Sequence, residues 1–215
     1  PNQGILGGYM IDLTDVSNNS TTVSVGGDVT GVQVVEVYTA TWCQNCVYSE
    51  HALMATLENE SATVLVHHRF IDEASDPFGT LAGDERWIDL YGETSAQVAS
   101  GLERAPPTVV FDGHRFVAGS APHGDSLESD YASMFADKHE YRSWNGIESE
   151  FTWTGDNSSG TLSWTFDILP DEPEWMSWSH RLMVVEHSAY FPEGGNGMEH
   201  YDDIVRSVVE LNATL

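Results

Sequence analysis

The sequence predicts a chain of two textures, an α/β unit followed by an all-β unit. Three observations carry that expectation. A nearly continuous β-branched run, "VQVVEVYTA" at 32–40, leads at Cys43 into a helical repeat of Val47, His51, Leu53, Met54 and Leu57. Strand-like and helix-like stretches then alternate up to about Arg142. Beyond Trp144 the helical spacing gives way to alternation, as in "TLSWTFDIL", where Leu162, Trp164, Phe166 and Ile168 share one face.

In chain order, residues 1–30 are rich in Gly, Ser and Thr, and "YMIDLT" and "TTVSVGG" around "DVSNNS" read as a hairpin over 9–26. The buried strand 32–40 and the helix from Cys43 come next. "ATVLVHHRF", 62–70, is a second strand, and "DERWIDLYG", 84–92, a short helix. "PTVVFDG", 107–113, is a strand closed by an Asp-Gly turn, with "HRFVAGS" as its antiparallel partner. Leu127, Tyr131, Met134 and Phe135 mark one face of a helix running to about Arg142. "FTWTG" and "TLSWTFDIL" flank the turn "NSSG"; "HRLMVVEHSAY" and "DDIVRSVVEL" supply two more strands. "DEPE", 171–174, reads as a turn. The expected units are a β-hairpin extension over 1–30, an α/β domain over 31–143, and a β-sandwich-like domain over 144–215. Four strands make a thin sandwich, which the N-terminal hairpin would complete.

The charge balance narrows the partners. There are 34 acidic residues against 8 basic ones among 215, a net charge of -26, and Lys138 is the sole lysine. The excess is spread along the chain, about -3 over 1–30, -12 over 31–143 and -11 over 144–215. Such a surface repels nucleic acid and anionic membranes. It resembles proteins of high-salt environments, where ions screen the self-repulsion; an ordinary acidic secreted protein is the alternative. No apolar run approaches the roughly 20 residues that span a bilayer. A chain that begins at Pro1 without Met reads as a mature or trimmed product. Sequons at Asn18, Asn19, Asn59, Asn157 and Asn212 permit an extracytoplasmic location.

The two cysteines, Cys43 and Cys46, form a Cys-x-x-Cys pair between a buried strand and a helix. A helix N-terminus favours a thiolate at Cys43, and Cys46, one turn on, could resolve a mixed disulfide formed there. Alternatives are a structural disulfide, as expected outside the cytosol, and a copper or zinc site built from Cys43, Cys46 and a nearby histidine. His67 and His68 are the nearest candidates, yet neighbouring strand residues point to opposite faces, so at most one could reach the cysteines. Otherwise they read as surface or capping residues. The His200–Asp203 loop, "HYDD", could hold a divalent cation through oxygen ligands or be solvated, and Arg206 should pair with a nearby carboxylate. No phosphate loop, nucleophile elbow or His-Glu-x-x-His occurs, which leaves hydrolase and nucleotide-binding readings without support.

At these residues the sequence resembles the thioredoxin superfamily. "VVEVYTATWCQNC", with Trp42 before the first cysteine, and "APPTVVFDG" some 60 residues on carry the likeness over roughly 31–143. The whole chain looks more narrowly like the outer-membrane-protein-28-related family, in which a thioredoxin-like domain precedes a β-sandwich; "RLMVVEHSAYF" and "GMEHYDDIVRSVV" resemble that family's ending. The resemblance implies a thioredoxin-like α/β domain with a central mixed sheet flanked by helices. It also implies a cis-proline loop that sets Pro107 opposite the pair, and a substrate groove walled by Trp42, Pro106 and Pro107. Three residues depart from the superfamily pattern. Val37 stands where a buried acid is kept, and the adjacent Glu36 should face the other way. Pro106 has no N–H to offer a bound peptide. Gln44-Asn45 lacks the histidine of strongly oxidising relatives. The expected function is an extracytoplasmic thiol–disulfide oxidoreductase acting on protein thiols or disulfides, with Cys43 attacking, Cys46 resolving and no cofactor beyond the pair. The alternatives are a non-enzymatic cell-surface binding or assembly protein that engages a partner through the β domain, and a copper or zinc carrier.

Overall fold

Two β-sheets of unequal size organise the chain, with helices on both faces of the larger one. The structure is a computed structural model and describes residues 5, 7–17, 21–28, 32–70, 76–119, 125–137, 147–168 and 179–210. The strands are β1 (Thr21–Asp28), β2 (Gln33–Thr39), β3 (Ala62–His68), β4 (Thr108–Phe111), β5 (Arg115–Ala118), β6 (Ile147–Gly155), β7 (Gly160–Ile168), β8 (Arg181–Tyr190) and β9 (His200–Glu210). The helices are α1 (Cys46–Leu57), α2 (Leu81–Trp87), α3 (Glu93–Val98) and α4 (Asp125–Ala136). The large sheet runs β5-β4-β2-β3-β9-β8 and the small one β1-β6-β7.

β2 is buried throughout and lies at the centre, parallel to β3 and antiparallel to β4. Its alternating side chains serve two cores. Val35 and Val37 face α1 and α4, meeting Leu53, Phe111, Leu127, Tyr131 and Phe135. Tyr38 faces the opposite layer, where it stacks on Trp87 at 4.5 Å beside Tyr91 and Val110. Burying such aromatic and aliphatic side chains stabilises each layer by roughly 1.5–3 kcal/mol per residue.

The helix expected over 84–92 is longer and irregular. It starts at the Thr80 cap, whose hydroxyl accepts the Gly83 N–H, and passes through a π-helical turn at Ile88–Gly92 into α3. Around that turn Tyr91 points at the sheet. α4 carries the expected face, and the stretch expected to continue it beyond residue 137 lies outside the described residues. So do the "DEPE" turn and the sequons at Asn18, Asn19 and Asn212. The strand expected over 9–14 is irregular chain instead, turned at Thr14 by the Asp12 carboxylate.

The most consequential difference concerns the C-terminal strands. The sequence groups 144–215 in one β unit. In the structure only β6 and β7 form the small sheet, with β1 antiparallel to β6. β9 instead lies parallel to β3, with Val66 opposite Ile204, and β8 pairs antiparallel to β9. The reason is burial on both faces. Ile204 packs on Phe78 and Tyr201, while the next residue, Val205, packs on Val34 and Leu65. A strand covered on both sides belongs inside a layered α/β sheet.

Candidate functional site

The Cys-x-x-Cys turn leaves the C-terminal end of the central strand. Cys43 and Cys46 form a disulfide with a Cα–Cα distance of 5.4 Å. α1 begins at Cys46, so Cys43 stands in the turn just before the helix rather than on it. The Cys43 N–H donates to the Ala40 carbonyl and the Cys46 N–H to the Cys43 carbonyl, both at 3.0 Å. Cys46 is fully buried, whereas Cys43 keeps 8% of its exposure. A reagent from solvent therefore meets the Cys43 sulfur first. No acidic residue occupies the first turn of α1, which leaves the helix dipole uncancelled beside the pair.

Two elements distant in sequence clamp the turn. The Thr41 N–H donates to Asp76 Oδ2 at 2.8 Å, and the Thr41 carbonyl accepts the Asn196 N–H at 2.9 Å. Asp76 also accepts the Phe78 N–H and lies 3.0 Å from His68 Nδ1. Burial alone would push the Asp76 carboxyl up, but His68 and the two backbone N–H groups outweigh it and hold it below the usual range. Asn196 belongs to the β8–β9 loop and accepts the Tyr201 hydroxyl at 2.7 Å. Gly194 and Gly195 of that loop lie against Thr41 and Trp42 so closely that a side chain at Gly194 would sit 2.3 Å from the Tyr201 hydroxyl. Sequence reasoning missed Asp76 and Asn196. Asp76-Pro77 was a turn signal; nothing local marks Asn196.

Glu50, four residues beyond Cys46 on α1, accepts the Thr39 hydroxyl. Burial pushes this carboxyl up, against the Thr39 hydrogen bond and the pull of His68 and His51. It is the nearest acid to Cys46 along the helix, on α1 rather than on the preceding strand.

Trp42, which packs on the cysteine pair, forms one wall of a groove of about 530 Å³ whose other walls include Arg69, Arg104 and Pro106; neither cysteine lines it. The Pro106–Pro107 bond is cis. Pro106 is half-buried at the groove, and Pro107 is buried behind it with its carbonyl accepting the Gly119 N–H at 2.8 Å. Of the expected groove residues, Trp42 and Pro106 line the groove, and the buried Pro107 does not.

His67 and His68 are neither surface nor capping residues. Both are buried, on opposite faces, and each meets a carboxylate. His67 Nε2 lies 2.7 Å from Glu36 Oε2, on the face away from the cysteines. Glu36 is fully buried there and also receives Arg86, through Nη1 at 2.5 Å and Nη2 at 3.0 Å, and the Tyr91 hydroxyl at 2.5 Å. Burial would raise its carboxyl, but the Arg86 guanidinium and His67 hold it well below the usual range. Tyr91 is pushed up by the same burial and by Glu36. Among the described residues no group of three or more His, Cys, Asp and Glu is arranged to hold a metal ion. In the His200–Asp203 segment, which belongs to β9, Asp203 Oδ1 lies 3.3 Å from His187 Nδ1, and Arg206 meets Glu186 at 3.5 Å.

Comparison with known proteins adds the fold alone. No family model matches the chain, and no curated protein does. Among solved structures, a crystal structure of a structural-genomics target protein from Agrobacterium tumefaciens is similar, with a TM-score of 0.51 and 15% identity. The likeness covers 83% of this chain and 71% of that one. No helix among the described residues is long and apolar enough to cross a membrane. The chain is a mixed α/β protein with two sheets and four helices among its described residues.

Proposed function

We propose that the protein is an extracytoplasmic thiol–disulfide oxidoreductase built on a thioredoxin-like fold. The observation that carries the reading is the Cys43–Cys46 disulfide at the mouth of α1, with Cys43 the less buried of the two and its neighbour Trp42 walling a groove together with Pro106. A β2-α1-β3 crossover followed by the antiparallel β4-β5 hairpin, in the strand order β5-β4-β2-β3, supports the thioredoxin-like part. The acid excess supports a salt-rich setting.

In this reading a substrate thiolate attacks Cys43, Cys46 leaves, and the resulting mixed disulfide is resolved in either direction by the buried thiol or the substrate's second thiol. The test is a redox titration against glutathione with insulin reduction as the assay. Wild type should show a defined two-electron potential and turnover, and Cys43→Ser neither. Indistinguishable behaviour of the two overturns the proposal.

A second reading, a cell-surface binding protein, draws on the small sheet. Among the described residues β1 and β7 each have a strand on one side only, an arrangement open to strand addition. Sedimentation that finds only monomers at tens of micromolar would count against assembly through these edges.

A further inference from the structure

Basic side chains are scarce here, with 8 among 215 residues, yet Arg69 and Arg104 both line the groove that Trp42, the neighbour of Cys43, walls on one side. Their situations differ. Arg104 is committed, its Nε lying 2.5 Å from Asp84 Oδ2. Arg86, Arg115 and Arg206 are likewise ion-paired. Arg69 pairs with no carboxylate among the described residues, although the chain carries 34 acids. Its guanidinium lies over the Trp42 ring, 5.8 Å from the centroid, and Nη1 reaches the Arg104 carbonyl at a long 3.4 Å. Its Nε is buried without a hydrogen-bond partner among the described residues. A guanidinium so placed is held by an aromatic face, and among the described residues no carboxylate engages its planar donor fork. Glu103 also lines the groove, so a general attraction for anions is not what this wall supplies; a local contact at Arg69 is.

We propose that Arg69 selects peptide substrates carrying an Asp or Glu immediately beside their reactive cysteine. This rests on the oxidoreductase reading and names its substrate class. With the carboxylate seated on Arg69 next to Trp42, the neighbouring thiolate is brought towards Cys43, the less buried of the two cysteines, on the other side of Trp42. The thiolate forms an S–S bond to Cys43, the Cys43–Cys46 bond breaks, and Cys46 leaves with the electron pair. The substrate's second thiolate then attacks its own mixed-disulfide sulfur and releases Cys43. The substrate dithiol gives up two electrons and two protons and becomes a disulfide, and the cysteine pair is reduced by those two electrons.

The test uses the full chain in oxidised form and two dithiol peptides of identical composition. One carries Asp beside the first cysteine and the other carries it at the far end. Equal net charge makes the long-range repulsion from a protein of charge -26 the same for both, so only the local contact differs. Single-turnover oxidation should favour the adjacent-Asp peptide roughly 3–10-fold, the range of a partly exposed charge-assisted contact. The preference should fall towards one in Arg69→Met, survive in part in Arg69→Lys, and shrink in 1 M salt. Each protein's peptide rates are divided by its own rate with dithiothreitol, which carries no carboxylate, so that only the peptide preference is compared between wild type and the variants. Equal wild-type rates for the two peptides overturn the inference without needing any variant and leave the oxidoreductase reading intact. No reaction with dithiothreitol or either peptide overturns both.

Discussion

Removing the Arg86 guanidinium tests the buried network behind the central strand most sharply. Glu36 is 0% exposed and the Arg86 side chain 9%, so neither charge has water to fall back on. Arg86→Met deletes two charge-assisted hydrogen bonds at 2.5 and 3.0 Å and leaves His67 and Tyr91 as the remaining partners. At about 1.5–3 kcal/mol each, the two bonds set a loss of roughly 3–6 kcal/mol. The Glu36 carboxyl can limit that loss by taking a proton. From an unfolded value near 4.3, protonation at pH 7 costs about 3.7 kcal/mol at 1.36 kcal/mol per pH unit. The expected cost at pH 7 is therefore about 3–5 kcal/mol, in line with broken buried pairs elsewhere. The sign of the pH dependence follows. In wild type the depressed Glu36 contributes stability present above its unfolded value and lost as pH falls through its folded one. In Arg86→Met burial without the guanidinium raises the Glu36 carboxyl instead, a penalty absent below the unfolded value and growing as pH rises towards the folded one. The deficit should therefore shrink by about 2–3 kcal/mol as pH falls from 7 to 4.5, and shrink further below that as wild type loses its own contribution. Urea unfolding at fixed salt measures both numbers. The double variant Glu36→Gln/Arg86→Met should cost at least about 2 kcal/mol less than the two single losses added together. A deficit under about 1 kcal/mol at pH 7, or one that does not change on acidification, would refute the reasoning.

Other consequences are checked more simply. Glu50→Gln keeps the acceptor for Thr39 but cannot ionise; because burial raises the Glu50 carboxyl, its penalty is absent below the unfolded value and grows as pH rises through the folded one. The variant should thus melt higher than wild type at pH 7 and no higher at pH 4, and a lower melting point at pH 7 would contradict this. Gly194→Ala forces the β8–β9 loop away from Tyr201 and Thr41 and should cost about 1–3 kcal/mol, with a change in the near-ultraviolet dichroism of Trp42's surroundings. Gly197, whose Cβ would meet nothing within 4 Å, should lose only the roughly 1 kcal/mol of its left-handed backbone when changed to Ala. After reduction, limiting iodoacetamide should modify Cys43 at least about tenfold faster than Cys46, which stays buried at the head of α1; peptide mapping that finds equal labelling would remove the assignment of Cys43 as the outer thiol.

Much of the local architecture was legible because its causes sit within short windows. The unbroken β-branched run of β2 and the switch to helical spacing mark the strand–turn–helix that carries Cys43 and Cys46. Asp112 and Gly113, both at positive φ, close the β4–β5 hairpin as "FDG" announces, and "NSSG" joins β6 to β7. Side-chain alternation correctly separates Glu36 from Val37. What the window does not contain is the partner. β8 and β9 read as strands under any pairing, and only the tertiary structure sets β9 beside β3, with Ile204 and Val205 buried on opposite faces. The adjacent "IV" was a faint sign of a doubly covered strand, weaker than the run of alternating neighbours that suggested a sandwich. His67 and His68 show the same division. The alternation places them on opposite faces, but their burial against Glu36 and Asp76 depends on chain 31 residues before and 8 after. Arg69 over Trp42 and Asn196 on Thr41 are decided in the same way. Backbone periodicity and turn chemistry act between near neighbours, so the sequence alone determines them. Ion pairs, clamps and the choice of sheet edge depend on which segments share space, and that is decided only when the whole chain packs.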